Sequence, residues 1–95
     1  MKGKYVIVRG NRSGVFAGEL VSQEGQQVEL KNVRRLWKWC GATECLQIAT
    51  EGVKHNNDCR FTLTAETIIL LDAVEIIPTT KEAELNIKAV PVWKI

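Results

Sequence analysis

Residues 8–33, VRGNRSGVFAGELVSQEGQQVELKNV, carry the strongest signal for the fold. The glycines and asparagine of residues 10–14 suit a hairpin loop between a β-branched run and a second strand. Gly18 interrupts that second strand, where a missing side chain permits a bulge or a sharp bend, and residues 24–25 make the next turn. From Val28 onward, apolar and polar residues alternate as in a half-buried antiparallel strand. The stretch therefore predicts three consecutive antiparallel strands with a bend in the second.

The third strand is expected to continue to Trp39 with one break in its register. The alternation slips between Leu30 and Val33, and a bulge or turn at residues 31–32 restores it. Beyond that point, every second residue lies on the same side of the strand. One face would carry Val33, Arg35, Trp37 and Trp39, and the other Arg34, Leu36, Lys38 and Cys40.

Two short helices are predicted in the second half of the chain. Apolar residues recur at helical spacing after residue 41, and Gly52 stands where a C-terminal glycine cap belongs. A capping box from Thr79 to Glu82 predicts the start of the second helix, which Pro91 ends. The residues expected to face the core are Ala42, Cys45, Leu46, Ala49 and Val53 in the first helix, and Ala83, Ile87 and Val90 in the second.

Further strands are predicted between the helices. Residues 54–58, KHNND, form a polar loop. Apolar residues alternate with threonines over residues 61–64, and residues 67–77 give one or two more strands with Asp72 near a break. Together with the first three strands, these elements predict a mainly β (α+β) fold, a small bent antiparallel sheet or barrel with two short helices.

The layout of residues 8–33 resembles the first three strands of Sm-like and SH3-like barrels. GVFAGEL at residues 14–20, followed by VELKNV at residues 28–33, is similar to the glycine-bent second strand and apolar third strand of Sm-like proteins. This resemblance implies an SH3/Sm-like barrel that binds nucleic acid along its basic strand.

Length and composition point to one folded domain spanning residues 1–95. A chain of this size hides only about two-thirds of its unfolded surface, which leaves no apolar area for a second core. The longest purely apolar run, at residues 68–71, is far too short to cross a membrane, and the N-terminal MKGKYVIV lacks the features of a signal peptide. We therefore expect a cytoplasmic protein with no membrane contact.

The three cysteines and the one histidine are the candidates for metal binding. Cys40, Cys45 and Cys59 with His55 have the number of ligands for a zinc site. The spacing is poor, because Cys45 falls within the predicted first helix rather than in a tight turn. We favour small, partly buried thiols and predict no metal and no cofactor.

Catalytic groups are hard to assemble from this sequence. His55 stands in the polar loop, and no local signature pairs it with a cysteine as a thiolate dyad. The acidic residues are scattered, and neither a phosphate loop nor a dinucleotide fingerprint is present. We predict that the protein is not an enzyme.

Residues 34–43, RRLWKWCGAT, contain the kinds of side chain that bind phosphorylated aromatic ligands. They lie largely within the basic part of the chain, since residues 1–41 carry eight Lys or Arg against three Glu. Indole faces stack on nucleobases for about 1–3 kcal/mol each, and cationic side chains neutralise phosphates. The N–H groups of a helix starting at residues 41–43 would form an anion site, and the first hairpin would close over the same ligand. The candidate ligand-binding residues are Arg34, Arg35, Trp37, Lys38, Trp39, Gly41, Ala42 and Thr43, with Arg9, Asn11 and Arg12 from the hairpin.

An alternative interpretation makes the two tryptophans part of the core. A chain of this size needs large side chains to fill its interior, and Trp37 and Trp39 share one face of their strand. In that case Arg34 and Lys38 are the solvent side of the strand. Arg35 then lies on the tryptophan face and needs an edge position or an anionic partner.

Four blocks resemble a family of small proteins encoded by tailed phages and prophages. They are LKNVRRLWKWCGATECLQIATEGV at residues 30–53, CRFTL at 59–63, EIIP at 75–78 and VPVWKI at 90–95. The resemblance implies a viral protein of the host cytosol that acts by binding, as a homo-oligomer that counteracts host defence by sequestering a nucleotide second messenger. A cyclic oligonucleotide is the expected kind of ligand. The alternatives are the nucleic-acid-binding barrel and a protein-binding inhibitor of a host factor that docks through an exposed strand edge or residues 90–93.

Overall fold

The computed structural model describes residues 2–54 and 56–93, in which six strands and two α-helices are formed. The elements are β1 Tyr5–Gly10, β2 Val15–Glu24, β3 Gln27–Lys38, α1 Cys45–Glu51, β4 Arg60–Phe61, β5 Ala65–Leu70, β6 Ala73–Pro78 and α2 Lys81–Ala89. A single 3-10 turn at Asn56–Asp58 precedes β4. The prediction of a mainly β fold with two short helices is confirmed.

The strands form one antiparallel sheet with β1, β2 and β3 at its centre. Strand β1 pairs with β2 on one side and with β6 on the other, so the last strand returns beside the first. Strand β3 pairs with β2 along one edge, and along its other edge with β5 and then with β4. The predicted break near Asp72 is confirmed, since it separates β5 from β6. The strand predicted for residues 61–64 is shorter than expected and ends at Phe61, although the Thr62 N–H still donates to the carbonyl of Arg35 in β3.

The bend predicted at Gly18 lies opposite the predicted bulge in β3. Between the pairs Ala17–Arg34 and Glu19–Lys31, β3 contains one residue more than β2, and Asn32 has a positive φ of 50°. A side chain at Gly18 would place its Cβ 3.1 Å from the Lys31 carbonyl oxygen. A side chain would therefore be crowded at this position, and glycine fits the close approach of β2 to β3.

Two apolar clusters lie on opposite faces of the sheet. The first fills the concave side of the bent sheet and includes Val8, Phe16, Leu30 and Val33. The second lies between the sheet and the helices and includes Ile7, Leu36, Ile48, Phe61 and Ile87. Because side chains alternate along a strand, each central strand contributes to both clusters.

The first helix begins later than predicted, and Cys45, Ala49 and Val53 are buried as predicted. It starts at Cys45, with Glu44 as its N-cap, and the predicted glycine cap at Gly52 is confirmed by the N–H donated to the Ile48 carbonyl. Ile48 is buried, whereas Leu46, expected in the core, is 59% exposed. The buried face is therefore the predicted one with Ile48 in place of Leu46, because Ile48 packs in the cluster between the sheet and α2.

The second helix buries the predicted residues but is capped one position later. Ala83, Ile87 and Val90 are all buried. The N-cap is Thr80, whose hydroxyl accepts from the Ala83 N–H at 3.0 Å. The hydroxyl of Thr79, the predicted cap, instead donates to the Tyr5 carbonyl of β1 at 2.9 Å.

Arg34 is buried, with only 3% of its surface exposed, so the expectation that it faces solvent is wrong. Its Nη1 donates to the carbonyl oxygens of Ile87 at 2.9 Å and Val90 at 2.7 Å, at the C-terminus of α2. Its Nε donates to the Thr62 carbonyl at 2.8 Å. Burial lowers the pKa of Arg34 from its ordinary value, and the neighbouring Tyr5 opposes that shift. Arginine nevertheless stays charged at neutral pH, so the helix carbonyls hold a cation.

We expect Arg34→Met to lower the free energy of unfolding by about 3 kcal/mol or more, because backbone carbonyls that lose a charged donor stay buried and unsatisfied. Urea unfolding followed by far-UV circular dichroism measures this change. The matched control is Arg35→Met, on the exposed side of the same strand, with an expected loss below about 1 kcal/mol. Equal losses in the two variants would contradict the structural role of Arg34.

Asp72 holds the loop between β1 and β2. Its Oδ2 accepts from the backbone N–H groups of Arg12 at 2.7 Å and Ser13 at 3.0 Å, and its Oδ1 accepts from the Ser13 hydroxyl at 2.7 Å. The hydrogen bond from the Ser13 hydroxyl, followed by that from the Arg12 N–H, lowers the pKa of Asp72 from its ordinary value. The loop is therefore fixed in position by a carboxylate from the residue just before the neighbouring strand β6, whose Ala73 pairs with Gly10 of β1.

The effect of Asp72→Asn on stability should depend on pH. Because the folded-state pKa is lowered, the stabilisation is complete above the unfolded value of about 3.9 and is lost as pH falls through the folded value. The variant should therefore unfold at a lower temperature than the wild type at neutral pH, and the difference should shrink as the pH falls from about 4 to about 2. Thermal scans across this range test this, with Glu66→Gln, an exposed carboxylate on β5, as control. A difference that stays constant with pH would rule out the carboxylate clamp.

Candidate functional site

Strand β3 divides the predicted site residues between its two faces. Arg34 and Leu36 point to the helices and are buried. Arg35 and Trp37 lie on the other face, beyond Val33, and are exposed. The predicted alternation from Val33 to Lys38 is therefore confirmed, but of the two residues expected on the solvent side Arg34 is buried and only Lys38 is exposed.

A groove of about 340 Å³ lies between the β1–β2 loop and the end of β3. Arg12 and Gly14 line it from the loop, and Arg35, Trp37 and Trp39 line it from β3 and the residue that follows. Trp37 is 62% exposed, while Trp39 is partly buried and packs against the cluster beneath the helices. The groove thus combines an accessible indole face with two guanidinium groups.

The two arginines of the groove are available to an anion. Among the residues that the structure describes, neither Arg12 nor Arg35 takes part in an ion pair. The guanidinium carbon of Arg35 lies 4.8 Å from the ring centroid of Phe16, which supports the side chain and leaves its polar edge toward solvent. A cation stacked in this way is positioned before any ligand binds.

The structure brings only part of the hairpin to the groove. Arg12 lines it, as predicted for a loop that closes over the ligand. Arg9 instead pairs with Glu75 of β6, with 2.7 Å between Nε and Oε1. Asn11 lies outside the lining, and its N–H donates to the carbonyl of Asp72.

Lys38 belongs to a separate cleft of about 440 Å³ on the other side of β3. Arg60 and Trp93 line the same cleft, and the guanidinium carbon of Arg60 lies 5.2 Å from the Trp93 ring. A single small ligand cannot contact both Lys38 and Trp37 from one side of the strand. The predicted grouping of Lys38 with the tryptophans is therefore wrong.

The helix start predicted at Gly41, Ala42 and Thr43 is also wrong. Gly41 forms a turn packed against Lys54, and the helix begins four residues later. The N–H and the hydroxyl of Thr43 lie 2.8 and 2.9 Å from the Gln47 Oε1, and the carboxylate of Glu44 accepts from the first turn. The neutral Gln47 amide oxygen satisfies Thr43, and the negatively charged Glu44 caps the helix, which disfavours an anion at this place.

The cysteines are held apart from this groove. The Cys40 N–H donates to the sulfur of Cys59 at 3.4 Å, and Cys45 lies in α1. Burial raises the pKa of both Cys45 and Cys59, which makes their thiols less nucleophilic at neutral pH. Within residues 2–54 and 56–93 no group of three or more His, Cys, Asp or Glu could hold a metal ion, and His55 lies outside the described residues.

Sequence reasoning missed an apolar cleft of about 200 Å³ on the other side of Arg35. Phe16, Val33, Ala65 and Ile68 line it at the open end of the concave cluster. It forms because β2 and β5 flank β3 on either side, pairing Phe16 with Arg35 and Ala65 with Val33. The adjacent positions of Val33 and Arg35 on one strand face are the only signal that the sequence alone offers for it.

No helix among the described residues is long and apolar enough to cross a membrane. Neither a curated protein nor a solved structure matches the chain. A family model described as "Domain of unknown function (DUF6948)" matches residues 3–87, a range that includes the whole groove and ends before Trp93. The chain therefore belongs to the DUF6948 family.

Proposed function

We propose that the protein is a non-catalytic binding protein of phage origin that sequesters a nucleotide second messenger in the groove between the β1–β2 loop and β3. The observation that carries this proposal is that the exposed indole of Trp37 lines one groove together with Arg12 and Arg35. The ligand is a small phosphorylated nucleotide, such as a cyclic oligonucleotide, taken from the host cytosol. Its removal would interrupt the defence response that the nucleotide triggers.

The chemistry of the groove supports recognition of a base together with a phosphate. Stacking on the Trp37 indole contributes about 1–3 kcal/mol for a nucleobase. Arg35 and Arg12 offer planar forks of N–H donors that match phosphate oxygens and add charge-assisted hydrogen bonds. Because base and phosphate are joined in one molecule, their contributions add within a single binding event.

The lining of the groove supports retention of the ligand rather than its conversion. Among the described residues that line it, none is His, Cys, Asp or Glu, the usual acids, bases and nucleophiles. The hydroxyl of Ser13, which also lines it, donates to Asp72 as part of the loop clamp. The proposal is therefore one of tight binding without turnover.

Self-association is part of the same proposal. Ile69 of β5 is 56% exposed and Leu71 is 73% exposed, and large apolar side chains of this kind are often covered by another copy of a chain. Strands β5 and β6 each have one edge that pairs with no other strand of the described chain. The molar mass in solution from light scattering tests this part of the proposal.

A second candidate function is binding of single-stranded nucleic acid. The observation in its favour is the second aromatic and cationic pair, Arg60 and Trp93, beside Lys38. Together with Trp37 and Arg35 across β3, these residues would extend a basic path along a polynucleotide backbone.

A thermal-shift screen against cyclic di- and trinucleotides, mononucleotides and short single strands separates these functions. We expect a cyclic nucleotide to raise the unfolding temperature, to remain bound through gel filtration and to be recovered unchanged after denaturation. Binding that grows with strand length and falls steeply with salt would favour the nucleic-acid function instead. No response to any nucleotide or strand would overturn both functions and leave a protein-binding inhibitor of a host factor.

Trp37→Ala should weaken binding of the nucleotide found in that screen by about tenfold to a hundredfold, because about 1–3 kcal/mol of stacking is lost. Arg35→Met should weaken it by about tenfold or more through loss of the charged donor. The matched control is Lys38→Met. Lys38 lies in β3 but lines the separate cleft, so this change should alter the affinity less than about twofold. Isothermal titration calorimetry measures all three. Equal losses for Arg35→Met and Lys38→Met would place the ligand elsewhere.

A further inference from the structure

We propose that the ligand carries two bases, and that the apolar cleft beside Arg35 is the site for the second one. This inference rests on the proposed function and specifies its ligand as a dinucleotide whose bases are held apart. The first base lies on Trp37, the phosphate lies at Arg35, and the second base enters the open end of the concave cluster.

The two clefts share one residue. Arg35 lines the groove of Trp37 on one side and the apolar cleft on the other. Val33, Arg35 and Trp37 succeed one another on a single face of β3, and four residues of strand rise about 13 Å. An anion at Arg35 would therefore have a ring-sized cleft on either side of it.

The charge distribution also favours an anionic link between two rings. The Arg35 guanidinium lies over Phe16, which is a wall of the apolar cleft. Arg12 lines the groove of Trp37 from the loop. An aliphatic or peptide side chain would fill the apolar cleft without using either cation. A dinucleotide uses the cleft, both cations and the indole together.

The apolar cleft offers shape and burial rather than hydrogen bonds. Thr62 accepts from the Arg35 N–H at 2.8 Å and donates to the Leu63 carbonyl at 3.0 Å, so its hydroxyl is engaged. Thr67 donates its hydroxyl to the Leu30 carbonyl at 3.1 Å. With both hydroxyls committed, the walls present mainly Phe16 and aliphatic carbon. The second base would therefore be held by its faces, and its identity would matter little.

The separation of the clefts decides which dinucleotides fit. Bases stacked along one strand lie about 3.4 Å apart, too close to reach clefts on either side of Arg35. The ligand must keep its bases apart, as a cyclic dinucleotide does and as a linear dinucleotide does only when it is unstacked. A cyclic dinucleotide needs no unstacking and loses less conformational freedom on binding, so it should bind more tightly.

The test compares AMP, the linear dinucleotide pApA and cyclic di-AMP by isothermal titration calorimetry. The wild type should bind cyclic di-AMP at least about tenfold more tightly than AMP. Ala65→Leu, which fills the apolar cleft, should bring the affinity for cyclic di-AMP close to that for AMP and leave AMP binding unchanged. The matched control is Glu66→Leu, which adds the same side chain at the next, exposed position of β5 and should alter neither affinity.

Each result either supports or overturns the second site. Equal affinities for AMP and cyclic di-AMP, with no effect of Ala65→Leu, would overturn it while the binding function at Trp37 stands. Equal weakening of both ligands by Ala65→Leu would overturn it as well, since the cleft would then belong to the first base. Binding of none of the three would remove the nucleotide function itself. If Ala65→Leu unfolds at a markedly lower temperature than the wild type, Ile68→Phe replaces it in the comparison. This variant fills the rim of the same cleft and should give the same result.

Discussion

The buried guanidinium of Arg34 is the interaction on which the arrangement of sheet and helices depends. It projects from β3, the strand with the most partners, and binds the carbonyl oxygens at the C-terminus of α2. The negative end of the helix dipole and the ring of Phe61, 5.4 Å from the guanidinium carbon, lie next to the cation. Within residues 2–54 and 56–93 no carboxylate forms an ion pair with it. Helix α2 is therefore fixed by its end as well as by its apolar face.

The direction of Arg34 also determines where the functional groups lie. Because neighbouring residues of a strand point to opposite faces, an inward Arg34 requires Arg35 to point outward. The same rule sends Leu36 into the core and Trp37 to the surface. The exposed face of β3 is thus a consequence of how its other face is buried.

The sequence predicted those features that depend on near neighbours. The alternation along β3, the bend at Gly18 and the glycine cap at Gly52 are set by residues within a few positions. The burial of Arg34 depends on carbonyls more than fifty residues away, and a charged residue on a strand is usually solvated, so the pattern pointed the wrong way. The prediction for Leu46 in α1 failed for a related reason, because Ile48 rather than Leu46 meets α2 and the sheet, while Cys45 and Ala49 are buried as predicted.

The carboxylate of Asp72 has a consequence for the kinetics of the groove. It ties the loop that carries Arg12 through two backbone amides and one hydroxyl, so that wall of the groove is already ordered before a ligand arrives. A preorganised wall spares the entropy that a mobile loop would lose on binding. For the sequestering function that we propose, this saving would give a long residence time, because the loop clamp would slow the escape of a bound nucleotide.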